Sequence, residues 1–167
     1  LGSSEGLYQS QDQAKTWKLL APGLISKVNS IYIDKQEAKT VYVGCQNGLY
    51  RSQDAGNNWV KIFHGKDVLE EEVLSLFVSS GPAKSIYLAT AGGLFFSPAE
   101  TINWQKAGGK LLDARIIFIT EGQLDTDILY IVSNKGLFRA KEGLSSYERL
   151  YSGFNPESED ASTDIDS

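Results

Sequence analysis

Thr40-Val-Tyr-Val-Gly-Cys-Gln-Asn-Gly-Leu-Tyr-Arg-Ser-Gln-Asp-Ala-Gly-Asn-Asn-Trp59 is the stretch that decides the fold. Two runs rich in β-branched and aromatic residues, Thr40–Cys45 and Gly48–Ser52, flank the polar pair Gln46-Asn47. Short runs of that composition joined by a polar turn and a glycine read as a β-hairpin. Upstream, Val28-Asn-Ser-Ile-Tyr-Ile-Asp34 is a third such run, set off by the polar segment Lys35–Lys39. Downstream, Trp59-Val-Lys-Ile-Phe63 is a fourth. The unit is therefore four short strands.

This unit recurs along the chain. Gly-Leu-aromatic occurs at Gly6-Leu7-Tyr8, Gly48-Leu49-Tyr50, Gly93-Leu94-Phe95 and Gly136-Leu137-Phe138, with steps of 42, 45 and 43 residues. An aromatic residue follows each at a matching distance: Trp17, Trp59, Trp104 or Tyr147. A four-stranded unit of about 43 residues, stacked on copies of itself, is a β-propeller blade. A linear β-solenoid is the alternative, but solenoid repeats are shorter and carry one strand per face. The fold class expected is all-β, a propeller of four-stranded antiparallel blades near residues 1–20, 28–63, 73–107 and 114–151. First strands such as Ile116-Ile-Phe-Ile119 are apolar on both faces, so they are expected to be buried from both sides. No window longer than about ten residues shows sustained helical periodicity, so the sequence assigns no helix. Leu1-Gly2 aligns with Val43-Gly44, inside a second strand. The chain is thus expected to hold about three and a half blades of a ring of roughly six to eight.

Composition narrows the function classes. The net charge is −5, from 16 Lys+Arg and 21 Asp+Glu. Five of the acids (Glu157, Glu159, Asp160, Asp164 and Asp166) lie after Asn155 with no base among them, which leaves the repeat region neutral. Residues 153–167 are expected to be an acidic, disordered tail or linker. Nucleic acid is not an expected partner. The single Cys45 permits no internal disulfide and no multi-cysteine metal site, and the single His64 no two-histidine metal helix. Neither a cofactor nor a metal is expected. Apolar runs such as Ile128–Val132 are far too short to cross a bilayer, so no membrane insertion is expected. The chain contains no Met, which suggests a processed chain or a fragment.

The segment joining the third and fourth strands is the most characteristic. Ser52-Gln-Asp54-Ala-Gly56-Asn-Asn58-Trp59 resembles the Asp-box, or BNR repeat, with its pattern Ser-x-Asp-x-Gly-x-Thr-Trp. Ser10-Gln-Asp12-Gln-Ala14-Lys-Thr16-Trp17 keeps all but the glycine. The copies ending at Trp104 and Tyr147 have lost most of the pattern. The resemblance extends over residues 1–151 and takes in the photosystem II assembly/stability factor-like propellers and the sialidase and sortilin types. Physically, Asp12 and Asp54 can cap backbone N–H groups within their own turns. Gly56 permits positive φ, and the Trp supplies an apolar plate. The acids fade across copies while the aromatic persists. Ser10, Asp12, Trp17, Ser52, Asp54, Gly56, Trp59, Trp104 and Tyr147 are therefore expected to be structural, with no catalytic residue assigned.

Propeller function is expected at the opposite rim, where fourth-to-first and second-to-third loops surround the channel mouth. His64, Lys66, Asp67, Lys110, Asp113 and Arg115 are the candidate ligand-facing residues. A base role for His64 oriented by Asp67 is weaker than a solvated loop. The sialidase arginine cluster is not supported, because only Arg115 of the four arginines starts an inner strand. The reading that results is a non-catalytic module binding a protein or glycan, or joined to further blades upstream. The resemblance implies an extracellular or periplasmic bacterial setting. The alternative is part of an Asp-box glycoside hydrolase, sialidase- or xyloglucanase-like, with catalytic residues mostly outside this chain.

Overall fold

A computed structural model of the protein describes residues 1–80, 84–122, 125, 127–144 and 146–151, so the acidic segment 153–167 lies outside the described residues. The strands form four antiparallel meanders. The first sheet has three strands, β1 (Gly2–Ser3), β2 (Gly6–Gln9) and β3 (Lys18–Leu20). The second has four, β4 (Val28–Ile33), β5 (Val41–Cys45), β6 (Gly48–Ser52) and β7 (Val60–Phe63). After a one-turn helix, α1 (Val68–Glu71), the third comprises β8 (Val73–Val78), β9 (Ser85–Thr90), β10 (Gly93–Pro98) and β11 (Gln105–Lys106). The fourth comprises β12 (Ile116–Glu121), β13 (Ile128–Ser133), β14 (Gly136–Lys141) and β15 (Tyr147–Tyr151). These sheets are blades of a β-propeller.

The repeat is preserved to the single residue. Gly2 pairs with Leu7, Gly44 with Leu49, Ala89 with Leu94 and Val132 with Leu137. The inner strands β4, β8 and β12 share a register shift after their first residue, Val28, Val73 and Ile116. Alternating side chains then divide between two neighbours. Leu7, Val43, Cys45 and Tyr50 fill the space between the first two sheets. Tyr42, Leu49, Phe63, Leu76, Ile86 and Leu88 fill the next. Tyr87, Leu94, Ile116, Ile119, Ile131 and Phe138 fill the third. Cys45 is fully buried, and that burial pushes its thiol up to about 12, so it is a packed apolar group at neutral pH.

Two expectations need correction. The inner strands are not all buried from both sides. Ile116 and Ile119 are buried, but Ile117 and Phe118 are each 50% exposed, because among the described residues no further sheet lies against that face of the fourth. The other end behaves likewise. Ile33 is 57% exposed where the three-stranded first sheet covers only part of β4, whereas Val78 at the same register of β8 is 1% exposed. A helix is also present, in α1. A single turn is too short to generate periodicity, and its start depends on Asp67, whose carboxylate accepts the amides of Leu69 and Glu70.

Blade spacing is set by small residues. A Cβ on Gly44 would lie 2.5 Å from Ser30 Oγ and 2.7 Å from Val73 Cγ1, and one on Gly2 would lie 2.4 Å from Val28 Cγ1. The opening valine of the second and third sheets therefore leans on the glycine backbone of the sheet before. Gly44→Val should lower the unfolding free energy by about 1–3 kcal/mol through overpacking. An unchanged urea midpoint would show that the blades can separate freely.

Candidate functional site

The ends of the sheets form two rims of different construction. On one rim, the turn after β2 places two successive left-handed residues, Gln13 and Ala14 (φ 60° and 66°), and the turn after β6 does the same with Ala55 and Gly56 (59° and 91°). That geometry aims backbone N–H groups inward. Ser10 Oγ accepts the Ala14 amide at 2.8 Å and donates to Asp12 Oδ1 at 2.9 Å. Asp12 also takes the Thr16 amide and hydroxyl, at 2.9 and 2.6 Å. The Thr16 and Ser10 hydrogen bonds hold the Asp12 carboxyl down to about 2. Ser52, Asp54, Gly56 and Asn58 repeat this network, and the Asn58 and Ser52 contacts hold Asp54 below the ordinary range. Each carboxylate accepts three hydrogen bonds within its own turn.

The aromatic plates beside these turns differ in use. Trp59 Nε1 donates to Gly56 O at 3.0 Å, closing its own turn. Trp104 Nε1 donates across to Ile62 O of the second sheet at 2.6 Å and meets Phe63 edge-on. Tyr147 packs edge-on to Phe138 and donates its hydroxyl to Gly108 O at 2.8 Å. Trp17 is 46% exposed and, with Leu1, Leu7, Ile31 and Ile33, lines an apolar cleft of about 470 Å³ between the first two sheets.

The opposite rim gathers the second-to-third turns and the loops between sheets. These meet through backbone contacts: Asn47 Nδ2 donates to Leu24 O at 3.0 Å, Gly92 N to Leu69 O at 2.9 Å, and Lys135 Nζ to Leu112 O at 2.9 Å. Charge is concentrated at α1. Glu70, 5% exposed, reaches Lys106 Nζ at 3.0 Å and Lys66 Nζ at 3.3 Å. Glu71 pairs with Lys61 and accepts the Gly65 amide, while Glu72 takes Lys27 Nζ at 3.1 Å and Asn29 Nδ2 at 3.2 Å. Burial pushes the Glu70 carboxyl up, but the bonds from Lys106 and Lys66 outweigh it and hold the group below its ordinary value.

Of the residues singled out from the sequence, Lys66 lies beside Glu70, and Asp113 Oδ1 takes Lys106 Nζ at 2.7 Å. Asp67 is engaged in capping α1, and His64 stands exposed. Arg115 is exposed and gives its amide to Asn134 Oδ1 at 2.9 Å, with Lys110 exposed on the preceding turn. Glu70, Glu71, Lys61 and Lys106 were not among them. The signal for the two lysines lies in the register: a base follows three of the four aromatics by two positions, at Lys61, Lys106 and Arg149, with Leu19 at that place after Trp17. Among the described residues, no cluster of three His, Cys, Asp or Glu is arranged to hold a metal, and no helix is long and apolar enough to cross a membrane.

No protein-family model matches the chain, and no curated protein sequence does. Its architecture matches solved structures. The propeller fold is shared. An ancestral GH74 enzyme superposes with TM-score 0.73 at 19% identity, over 89% of this chain and 21% of the other. The extracellular domain of a one-component system from B. thetaiotaomicron gives TM-score 0.72 at 19% identity, over 89% and 20%. YCF48 bound to D1 peptide gives 0.56 at 13% identity, over 87% and 46%. The chain spans between a fifth and a half of the length of these proteins.

Two outcomes test this geometry. Because the Glu70 carboxyl is depressed in the folded state, its stabilisation is complete above its ordinary value of 4.5 and is lost as pH falls through the lower folded value. Glu70→Gln should therefore cost about 1–3 kcal/mol at neutral pH, with the gap to wild type closing in acid. A gap independent of pH would contradict the ion pairs. Trp104→Phe should cost about 0.5–1.5 kcal/mol through the lost hydrogen bond to Ile62, whereas Trp17→Phe should leave the unfolding midpoint unmoved.

Proposed function

We propose that this chain is a ligand-binding section of an extracytoplasmic β-propeller, with Asp-box (BNR) turns as structural pins on one rim and a protein- or glycan-binding surface on the other. The observation that carries this reading is the commitment of the carboxylates. Asp12 and Asp54 are bonded within their turns, and Asp67, Glu70, Glu71, Glu72 and Asp113 each engage an amide or a lysine of the same fold. A hydrolytic pair needs two carboxyl groups facing one cleft with room for the sugar and water. Asp12, Asp54, Glu70, Glu72 and Asp113, held down by cations and hydrogen-bond donors, are poor proton donors at neutral pH.

The mouth loops are built as a fixed surface instead. Each is bonded to the neighbouring turn, and α1 is tied to both β7 and β11 through Lys61 and Lys106. Such pre-organisation limits the entropy lost on binding. The setting agrees with the extracellular domain among its structural neighbours, and a ligand role with the peptide-bound YCF48.

The purified chain should turn over none of a panel of chromogenic glycosides, and hydrolysis of any member would replace this reading with the glycosidase one. Ligands recovered from peptide and glycan arrays should bind about tenfold more weakly when Lys66 and Arg115 are both reversed to Glu. Binding unaffected by that change would move the site off the mouth.

A further inference from the structure

One feature of the mouth rim has no part in the ion-pair network. Leu24, Leu69 and Leu112 each stand four residues ahead of the residue that opens an inner strand, Val28, Val73 and Ile116. They are 41%, 56% and 47% exposed. The three loops reach this arrangement by different routes. Leu24 ends a turn in which its amide meets Ala21 O, Leu69 lies within α1, and Leu112 follows a 3₁₀ turn at Gly109–Leu111. In all three the leucine carbonyl is held by the facing turn, through Asn47, Gly92 or Lys135.

The residues beneath are buried: Ile25 and Glu70 at 5%, and Leu111 fully. A leucine with its backbone fixed and its isobutyl group directed to solvent contributes little to the fold. One such residue is ordinary, but three at one register position on one rim form a patterned apolar surface. Val68, 82% exposed, widens the middle position.

We propose that these three leucines are the anchor points of the mouth for an extended peptide segment carrying aliphatic side chains and net negative charge. The proposal rests on the mouth-binding reading above and deepens it. Charge complementarity chooses the partner. Five exposed bases, Lys27, Lys66, Lys110, Lys135 and Arg115, stand around the leucines against two exposed carboxylates, Asp67 and Asp113, although Lys27 and Lys66 also pair with Glu72 and Glu70. An ammonium carries three donors, and Lys135 uses one of them on Leu112 O. An acidic chain would find cations between apolar contacts. A sugar would instead require flat aromatic faces to stack on, and the repeated position offers branched aliphatic groups.

The test is a selection from a random dodecapeptide phage library on the immobilised chain. The library is first depleted on the Leu24→Ser/Leu69→Ser/Leu112→Ser variant, so that binders of every other surface are removed. Peptides enriched in Leu, Ile or Val interleaved with Asp or Glu are expected. By fluorescence anisotropy each should lose about tenfold in affinity per leucine replaced. The exposed sites should leave the unfolding midpoint of the variants unchanged. Failure to enrich any peptide after depletion, or enrichment of basic sequences, overturns the proposal. If peptides from an undepleted selection lose affinity on Lys66→Glu/Arg115→Glu but not on the leucine changes, the mouth reading stands and the leucine proposal falls. If they respond to neither, both fall.

Discussion

The glycine that begins the third strand of each blade is the constraint on which the rest depends. Gly6, Gly48, Gly93 and Gly136 have φ of 129°, 114°, 150° and 127°, a region L side chains rarely enter. That torsion turns the second strand directly into the third. Space imposes the same demand at two of them. A Cβ on Gly48 would lie 2.5 Å from Lys61 Cε, and one on Gly93 2.6 Å from Lys106 Cε. The lysine stems crossing there are those that hold Glu71 and Glu70 of α1. One residue type thus sets both the hairpin geometry and the passage by which an outer strand reaches the mouth loop.

This explains why the blade pattern was so readable. Gly-Leu-aromatic records a backbone torsion, a leucine directed to one neighbouring sheet and an aromatic directed to the other: Leu49 and Leu94 pack toward the following sheet, Tyr50 and Phe95 toward the preceding one. Alignment of Leu1-Gly2 with Val43-Gly44 translates into the matching pairs Gly2 with Leu7 and Gly44 with Leu49. What escaped the sequence is what depends on neighbours rather than on period. Ile117 and Phe118 have the composition of a doubly covered strand, but exposure is decided by whether another sheet lies opposite. Glu70 and Lys106 are 36 residues apart, and they meet because α1 folds over the β9–β10 turn of the third sheet, whose outer strand carries Lys106. The helical turn at α1 is specified by one capping aspartate, which no periodic pattern announces.

The two rims use the same chemistry to different ends. At the box rim, Asp12 and Asp54 close turns on themselves, so their effect is local. At the mouth, Glu70, Glu71 and Glu72 reach lysines of β7, of β11 and of the segment leading into β4, so their effect is to join blades. Five of the exposed charges there are basic, against the carboxylates of Asp67 and Asp113, and the apolar groups among them have fixed backbones. A neutral repeat region therefore does not mean a neutral rim, because burying more of one sign of charge leaves an excess of the other on display.

Core packing follows the same nearest-neighbour logic. Each of the three hydrophobic clusters lies between adjacent sheets, and none extends across the whole chain. The molecule is accordingly a quasi-one-dimensional stack, with stability summed over interfaces rather than held in one centre. Among the described residues, the second and third blades have a partner on each face, while the first and fourth have a partner on one. Cooperative opening then begins at the two ends and travels inward. Amide exchange should grade along the stack, and the protons of β5 and β9 would be the last to leave.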